Sequence, residues 1–116
     1  MAGQTNKGGP KTIAYTEELT EGRTFSIGSE VESVLGYSLN QWMTDPMLWV
    51  KLLHPDDRED VVQACDAANQ TMEPFHAEYR MIARDGRVIR IHDDAAIVYS
   101  ARGEPLCWQG VMTVLA

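Results

Sequence analysis

The spacing of apolar residues changes at Glu73-Pro74, and this change constrains the fold more than any other feature of the chain. From Phe75 onward alternate residues are apolar, and a period of two is typical of a β-strand with one buried face. The apolar face would hold Phe75, Ala77, Tyr79, Met81 and Ala83, opposite a polar face of His76, Glu78 and Arg80. The last third of the chain is therefore expected to form a sheet.

Turn residues divide the β-favouring runs into two groups of strands. Asp85-Gly86 is a strong hairpin signal, and it predicts a returning strand over Val88–Tyr99. A second turn at residues 101–105 leads to a last strand over residues 106–115. Near the start, Thr12–Glu17 and Thr24–Ile27 predict a further hairpin around the polar residues 19–23.

Helix start signals recur between these two groups of strands. Ser29 with Glu32, and Ser38 with Gln41, have the spacing of capping boxes. Gly36 tolerates the left-handed conformation that commonly ends a helix, so it predicts the end of the first short helix.

Two more helices are expected to start at Asp45-Pro46 and His54-Pro55, because proline suits the first helical position. The second of them is long, and its buried stripe would contain Val61, Cys65 and Ala68, with Val62 beside them. A hairpin, a run of mostly short helices and a three-stranded meander around one core define an α+β domain.

The composition fits a single cytoplasmic domain. A chain of 116 residues with 44% hydrophobic content can bury one core, so residues 12–116 are predicted to be the domain and residues 1–11 a flexible leader or tag remnant. The net charge of −7 disfavours binding to nucleic acid or to an anionic membrane. The longest apolar stretches, such as residues 47–53, are too short to insert across a bilayer.

Several short strings, in this order, resemble the PAS family, specifically the subgroup whose long helix begins with His-Pro-Asp-Asp-Arg. The resemblance covers residues 12–116 and rests on Glu32-Ser33-Val34-Leu35-Gly36-Tyr37-Ser38, on Trp49 followed by Leu53-His54-Pro55-Asp56-Asp57-Arg58, on Glu78-Tyr79-Arg80, on Arg84-Asp85-Gly86, and on Gly103-Glu104-Pro105 before Trp108-Gln109-Gly110-Val111. Each string is weak alone, but together their order is specific. The chain departs from the subgroup at Arg90, where Trp is usual, and at residues 114–116, where Asp-Ile-Thr is usual.

The resemblance implies an α+β PAS fold, a five-stranded antiparallel sheet with several short helices packed on one face. It also implies a small apolar ligand between helices and sheet, an effector domain in the same larger signal-transduction chain, and a homodimer. The candidate cavity lining is Val34, Leu35, Trp49, Leu53, Val61, Tyr79, Met81, Ile91, Trp108 and Met112. About a third of these are expected to contact a ligand, because large apolar residues are packing residues by default.

Known cofactors of the family can be weighed against the sequence. Light-sensing flavin members carry a reactive Cys in an Asn-Cys-Arg string on a short helix, whereas Cys65 follows Ala64 on the long helix. Haem members generally supply an axial His from the long helix, and residues 56–70 contain none. Both cofactors are therefore disfavoured, and an apolar lining suits a fatty acyl chain or an aromatic small molecule.

Two polar strings contain residue types found in metal and catalytic sites. The first is His54 with Asp56, Asp57 and Asp60, which helix geometry and the helix dipole explain without a metal. The second is His92-Asp93-Asp94, for which a solvated outer face of a strand is the preferred interpretation. We expect no catalytic residue and no metal ligand.

Two other functions stay open. The same fold without a ligand would act as a dimerisation or docking module with a fully packed interior. A cone-shaped α+β enzyme with an Asp base and a Tyr donor would need an inward-facing carboxylate near Tyr79, and the adjacent Glu78 is predicted to lie on the opposite face.

Overall fold

The structure is a computed structural model that describes residues 11–19 and 22–115. In this part of the chain the elements are β1 (Thr12–Glu17), β2 (Thr24–Ile27), α1 (Glu30–Leu35), α2 (Leu39–Thr44), α3 (Leu48–Leu52), α4 (Pro55–Thr71), β3 (Phe75–Ile82), β4 (Val88–Tyr99) and β5 (Pro105–Leu115). The predicted order of elements is confirmed. Residues 1–10 of the predicted leader, and residues 20 and 21 of the first predicted turn, lie outside the described residues.

The five strands form one antiparallel sheet in the order β2-β1-β5-β4-β3. β2 and β3 therefore lie at opposite edges, about 19 Å apart if neighbouring strands are spaced as usual. The segment that connects them must cross a face of the sheet, and it contains α1 to α4. The predicted fold class, a five-stranded antiparallel sheet with helices on one face, is confirmed.

α1 and α2 start where the sequence predicts, but the start of α3 and one capping interaction differ. α3 begins at Leu48 with Met47 as its N-cap, so Pro46 lies in the preceding turn and not at the predicted first helical position. Gly36 ends α1 in the left-handed conformation, with φ of 84°. Ser38 starts α2 with a complete capping box shared with Gln41. The capping box predicted for Ser29 and Glu32 is wrong, because Ser29 has a helical backbone conformation and makes no side-chain capping bond. The carboxylate of Glu32 instead accepts a hydrogen bond from the first backbone N–H of α2, at 2.8 Å.

The His-Pro-Asp-Asp-Arg string attaches the start of α4 to β3. Pro55 is the first residue of α4, and His54 Nδ1 accepts a hydrogen bond from the backbone N–H of Asp56 at 3.1 Å. Asp57 accepts two hydrogen bonds from the Arg80 guanidinium, at 2.9 and 2.7 Å, and a third from the Arg80 backbone N–H. The guanidinium lowers the pKa of Asp57 to about 2. Among the described residues, no three His, Cys, Asp or Glu side chains are grouped so that they could hold a metal ion.

Apolar side chains from the inner face of the sheet pack against the helices to form the core. The largest fully buried side chains are Ile13, Val31, Leu35, Leu53, Met81 and Ile91. Within the described residues, Asp93 on β4 is the one polar or charged residue among those that are buried. No described helix is long and apolar enough to cross a lipid bilayer.

Candidate functional site

A cavity of about 400 Å³ lies between the inner face of the sheet and the helices. The sheet contributes Tyr15 and Glu17 from β1, Phe75 from β3, Asp93 and Ala95 from β4, and Trp108 and Met112 from β5. The helices contribute Trp42 from α2, Trp49 from α3, and Val62, Cys65, Ala68 and Asn69 from α4. The volume falls in the range of roughly 300–1,000 Å³ that is usual for small-molecule sites.

Three of the ten residues predicted to line the cavity do line it, namely Trp49, Trp108 and Met112. The other seven are buried in the core and do not line it: Val34, Leu35, Leu53, Val61, Tyr79, Met81 and Ile91. The residues that sequence reasoning missed are mostly aromatic or polar, and include Tyr15, Glu17, Trp42, Phe75 and Asp93. Ligand contact at any of these positions stays a prediction.

Asp93 lies in the cavity wall and accepts hydrogen bonds from two tyrosines. The Tyr15 hydroxyl donates to Oδ1 at 2.7 Å, and the Tyr79 hydroxyl donates to Oδ2 at 2.6 Å. Trp49 Nε1 donates to the Tyr79 oxygen at 3.0 Å, and these two rings meet edge to face with centroids 5.8 Å apart. The network therefore joins a helix on one wall of the cavity to three strands on the other.

The preferred interpretation of His92-Asp93-Asp94 is right for the outer two residues and wrong for Asp93. His92 and Asp94 lie on the outer face, where Asp94 contacts His92 at 3.0 Å and His76 at 2.5 Å. Asp93 faces inward, because alternation along β4 places it on the same face as the buried Ile91.

Asp93 is also the inward-facing carboxylate near Tyr79 that the enzyme alternative requires. Glu78 lies on the opposite face from Tyr79, as predicted, but the expectation that no carboxylate faces inward near Tyr79 is wrong. Both oxygens of Asp93 are nevertheless engaged by tyrosine hydroxyls, and the Tyr79 proton is directed at Asp93. Tyr79 does not line the cavity. The hydrogen bonds between Asp93 and the two tyrosines therefore tie the strands of this wall together.

Burial makes three groups of the cavity lining, Asp93, Glu17 and the Cys65 thiol, harder to ionise. It raises the pKa of Asp93, while the hydrogen bonds from Tyr79 and Tyr15 act in the opposite direction. Burial, followed by the charge of Asp93, raises the pKa of Glu17 to about 7. Burial, followed by the charge of Glu17, raises the pKa of the Cys65 thiol to about 11. Cys65 is therefore a protonated thiol at neutral pH and a poor nucleophile.

Two close contacts shape the cavity. Trp108 Nε1 donates a hydrogen bond to Asn69 Oδ1 at 2.8 Å, which ties β5 to α4. On the same strand, Gly110 lies against the ring of Tyr15, and a Cβ atom at Gly110 would come within 2.4 Å of the Tyr15 oxygen. Because Gly110 has no side chain, the Tyr15 ring can lie close to β5 while its hydroxyl donates to Asp93.

A five-stranded antiparallel sheet with the order 2-1-5-4-3, covered by helices that enclose a cavity, defines a class of small sensory domains. The family model described as "PAS fold" matches residues 24–112, so this chain belongs to the PAS fold family. The predicted membership, and the predicted place of the chain among sensors of signal-transduction proteins, are confirmed by the relatives.

The relatives are sensor domains within signalling proteins. The N-terminal domain of a diguanylate cyclase with PAS/PAC sensor from Marinobacter aquaeolei is 28% identical, with a TM-score of 0.78, covering 88% of this chain and 93% of that one. A sensory box histidine kinase/response regulator from Burkholderia thailandensis, 20% identical with a TM-score of 0.68 over 90% of this chain and 76% of that one, shows the fold alone. A methyl sulfide methyltransferase-associated sensor from Methanosarcina acetivorans is 28% identical over 85 residues, which span 72% of this chain and 8% of that protein.

Proposed function

We propose that this chain is the sensory domain of a larger cytoplasmic signal-transduction protein, and that it binds a small molecule in the cavity between helices and sheet. The cavity itself carries the proposal, because about 400 Å³ between helices and sheet falls within the usual size range of small-molecule sites and is lined mainly by apolar and aromatic side chains. Five aromatic side chains line it: Tyr15, Trp42, Trp49, Phe75 and Trp108. Of the two predicted ligand classes, this lining favours the aromatic molecule over the fatty acyl chain.

β1 and β5 offer a route from the cavity to an effector domain. Both strands line the cavity, and they pair along their length from Thr12 opposite Thr113 to Glu17 opposite Trp108. A ligand that moves these strands moves both ends of the described domain together. Shifting such a switch from about 1:99 to 99:1 needs roughly 5.5 kcal/mol of differential binding, so the ligand must fit one state closely.

Native mass spectrometry of freshly purified chain tests the proposal. We expect a small molecule to be retained on the wild-type protein. Ala95 lines the cavity, whereas its neighbour Ala96 is exposed on the outer face, so they offer a matched pair of variants. Ala95→Phe should fill the cavity and abolish the retained mass, and Ala96→Phe should leave it. Circular dichroism of both variants checks that the fold is kept.

A cavity that never retains a molecule in repeated preparations, and that Phe at position 95 fills without loss of stability, would contradict ligand sensing. The second function, dimerisation or docking without a ligand, is favoured by two apolar side chains on the outer face of the sheet. Val88 and Val111 are 54% and 39% exposed there. A dimer that carries no small molecule in the same spectra would support that alternative.

A further inference from the structure

The cavity wall is strongly acidic. Its ionisable lining residues include the carboxylic acids Glu17, Glu18, Asp45, Asp66 and Asp93. No Lys, Arg or His of the described part of the chain lines it. Within the described residues, Asp45 pairs with Lys51 and Asp93 accepts hydrogen bonds from its two tyrosines, while the other three acids have no such partner. The described residues give the Glu17 carboxyl no hydrogen bond and no ion pair.

Two cavity-lining residues also hold buried polar atoms that lack a partner within the described residues. One is the indole Nε1 of Trp42, a residue that is 3% exposed, and the other is Oε1 of Glu18. Buried polar atoms in proteins are nearly always hydrogen-bonded, and leaving one without a partner costs free energy. The first atom is a donor and the second an acceptor, so both are open to a bound molecule, and the Glu18 oxygen adds to the acidic character of the wall.

Aromatic rings surround the same space. Trp42, Trp49 and Trp108 line it together with Tyr15 and Phe75. The faces of indole and phenol rings attract cations through the ring quadrupole, most strongly where water is excluded. Carboxylates and aromatic rings together suit a positively charged molecule with an apolar body, whereas an anionic ligand would meet only like charges.

We propose that the cavity binds an organic cation, an ammonium group carried on an aromatic or apolar body, and that Glu17 is the residue that recognises its charge. This inference rests on the proposed sensing function and narrows its ligand class. Glu17 lies on β1 beside Trp108 of β5, so a cation at this point would act directly on the two strands that lead out of the domain.

Binding of a cation should be coupled to ionisation of Glu17. The titratable groups that interact with this carboxyl come from three elements: Tyr15 on β1, Cys65 on α4 and Asp93 on β4. None of them supplies a positive charge, and burial together with Asp93 holds the pKa of Glu17 at about 7. A permanently charged ligand should therefore bind more tightly as the pH rises from about 6 to about 8, because the carboxylate form becomes populated.

The probes are benzyltrimethylammonium, which does not titrate, and neopentylbenzene, its neutral isostere. Isothermal titration calorimetry of the folded chain is expected to show at least about tenfold tighter binding of the cation at pH 8. Glu17→Gln should weaken this preference and remove its pH dependence, while the aromatic rings keep part of the attraction for the cation. Glu73→Gln, which changes the net charge equally at an exposed position outside the cavity, should leave both intact.

Equal affinity for the two probes, or a preference whose size and pH dependence are unchanged by Glu17→Gln, would overturn the cation inference while leaving ligand sensing in place. Failure of both probes to bind would also overturn it. In that case native mass spectrometry shows whether a molecule of another class copurifies with the protein or none does. The cation inference and the sensing proposal can therefore fail independently. The pH dependence of cation binding to the wild-type protein tests the same inference without any substitution.

Discussion

Asp93 and Asp94 are neighbours on β4 with the same side chain, and the sheet gives them opposite chemistry. Asp93 is 2% exposed, accepts hydrogen bonds from two tyrosines, and has its pKa raised by burial. The Asp94 side chain is 47% exposed and contacts two histidines, and its hydrogen bond with His76 lowers its pKa. Only the face of the strand differs. A carboxyl on the inner face resists ionisation and belongs to the cavity wall, whereas one on the outer face ionises readily.

The largest difference between the two faces should appear on truncation of these neighbours. Asp93→Ala leaves two buried tyrosine hydroxyls without their acceptor, and we expect it to lower the free energy of unfolding by about 3 kcal/mol. Asp94→Ala should change it by less than about 0.5 kcal/mol, as exposed substitutions usually do. Urea denaturation of both variants measures the two values. Similar losses would show that the inner network does not stabilise the fold.

The second difference between the two faces is the direction in which their carboxyl groups change the stability of the fold with pH. The pKa of Glu17, another inner-face acid, rises from 4.5 to about 7 on folding, so the folded chain binds a proton that the unfolded chain has released. The stability contribution of protonated Glu17 is fully present below pH 4.5 and is lost as the pH rises to about 7, on the order of 3 kcal/mol at most. Glu17→Gln should flatten this part of the stability profile, measured by denaturation across the range. A profile unchanged by the substitution would contradict the assignment.

A smaller loss of stability should follow when the hydrogen bond between Tyr15 and Asp93 is disturbed from the neighbouring strand β5. Gly110→Ala places a Cβ atom against the Tyr15 ring, which must move away from Asp93. We expect a loss of about 1–2 kcal/mol from this overpacking. Gln109→Ala, at an exposed position on the same strand, is the matched control and should have little effect. Equal stability of the two variants would mean that β5 yields to the extra methyl group without disturbing Tyr15.

The smallest expected effect on stability comes from Asp94 on the outer face. Its contribution changes with pH in the opposite direction to that of Glu17. The pKa of Asp94 is lowered, so its contribution is present above the unfolded pKa of 3.8 and is lost as the pH falls below it. Asp94→Asn should remove less than about 0.5 kcal/mol at neutral pH, because exposed ion pairs contribute little. Added salt should shrink the effect further. A salt-independent loss above this size would indicate that the outer pairs are less exposed to solvent than the structure shows.

The strands and the order of elements were predictable, because period-two alternation and turn residues are local signals. Asp85-Gly86 marks the turn between β3 and β4, and Pro55 marks the start of α4. The inward orientation of Asp93 was also predictable from the sequence. Ile91 was predicted to face inward, and the same alternation places Asp93 on that face. The polar string was interpreted as one unit, although a strand divides its residues between two environments.

The cavity was not predictable in the same way. Alternation identifies which side chains point inward, but it does not say where the helices stand away from the sheet. Tyr79 and Met81 face inward and are packed, while Phe75 on the same strand and the same face lines the cavity. That difference depends on how the helices pack over the sheet, which long-range contacts determine and local sequence patterns do not report.

β5 is the last strand of the sheet to be synthesised, yet it lies in the middle. β1 and β2 reach the rest of the sheet only through β5, and β3 and β4 do the same from the other side. A growing chain that lacks residues 105–115 therefore holds two hairpins with no strand in common. Continuous pairing has to wait until the ribosome has released this segment, so the domain completes its sheet in one late step. Clipping that segment would split the sheet in two rather than shorten an edge.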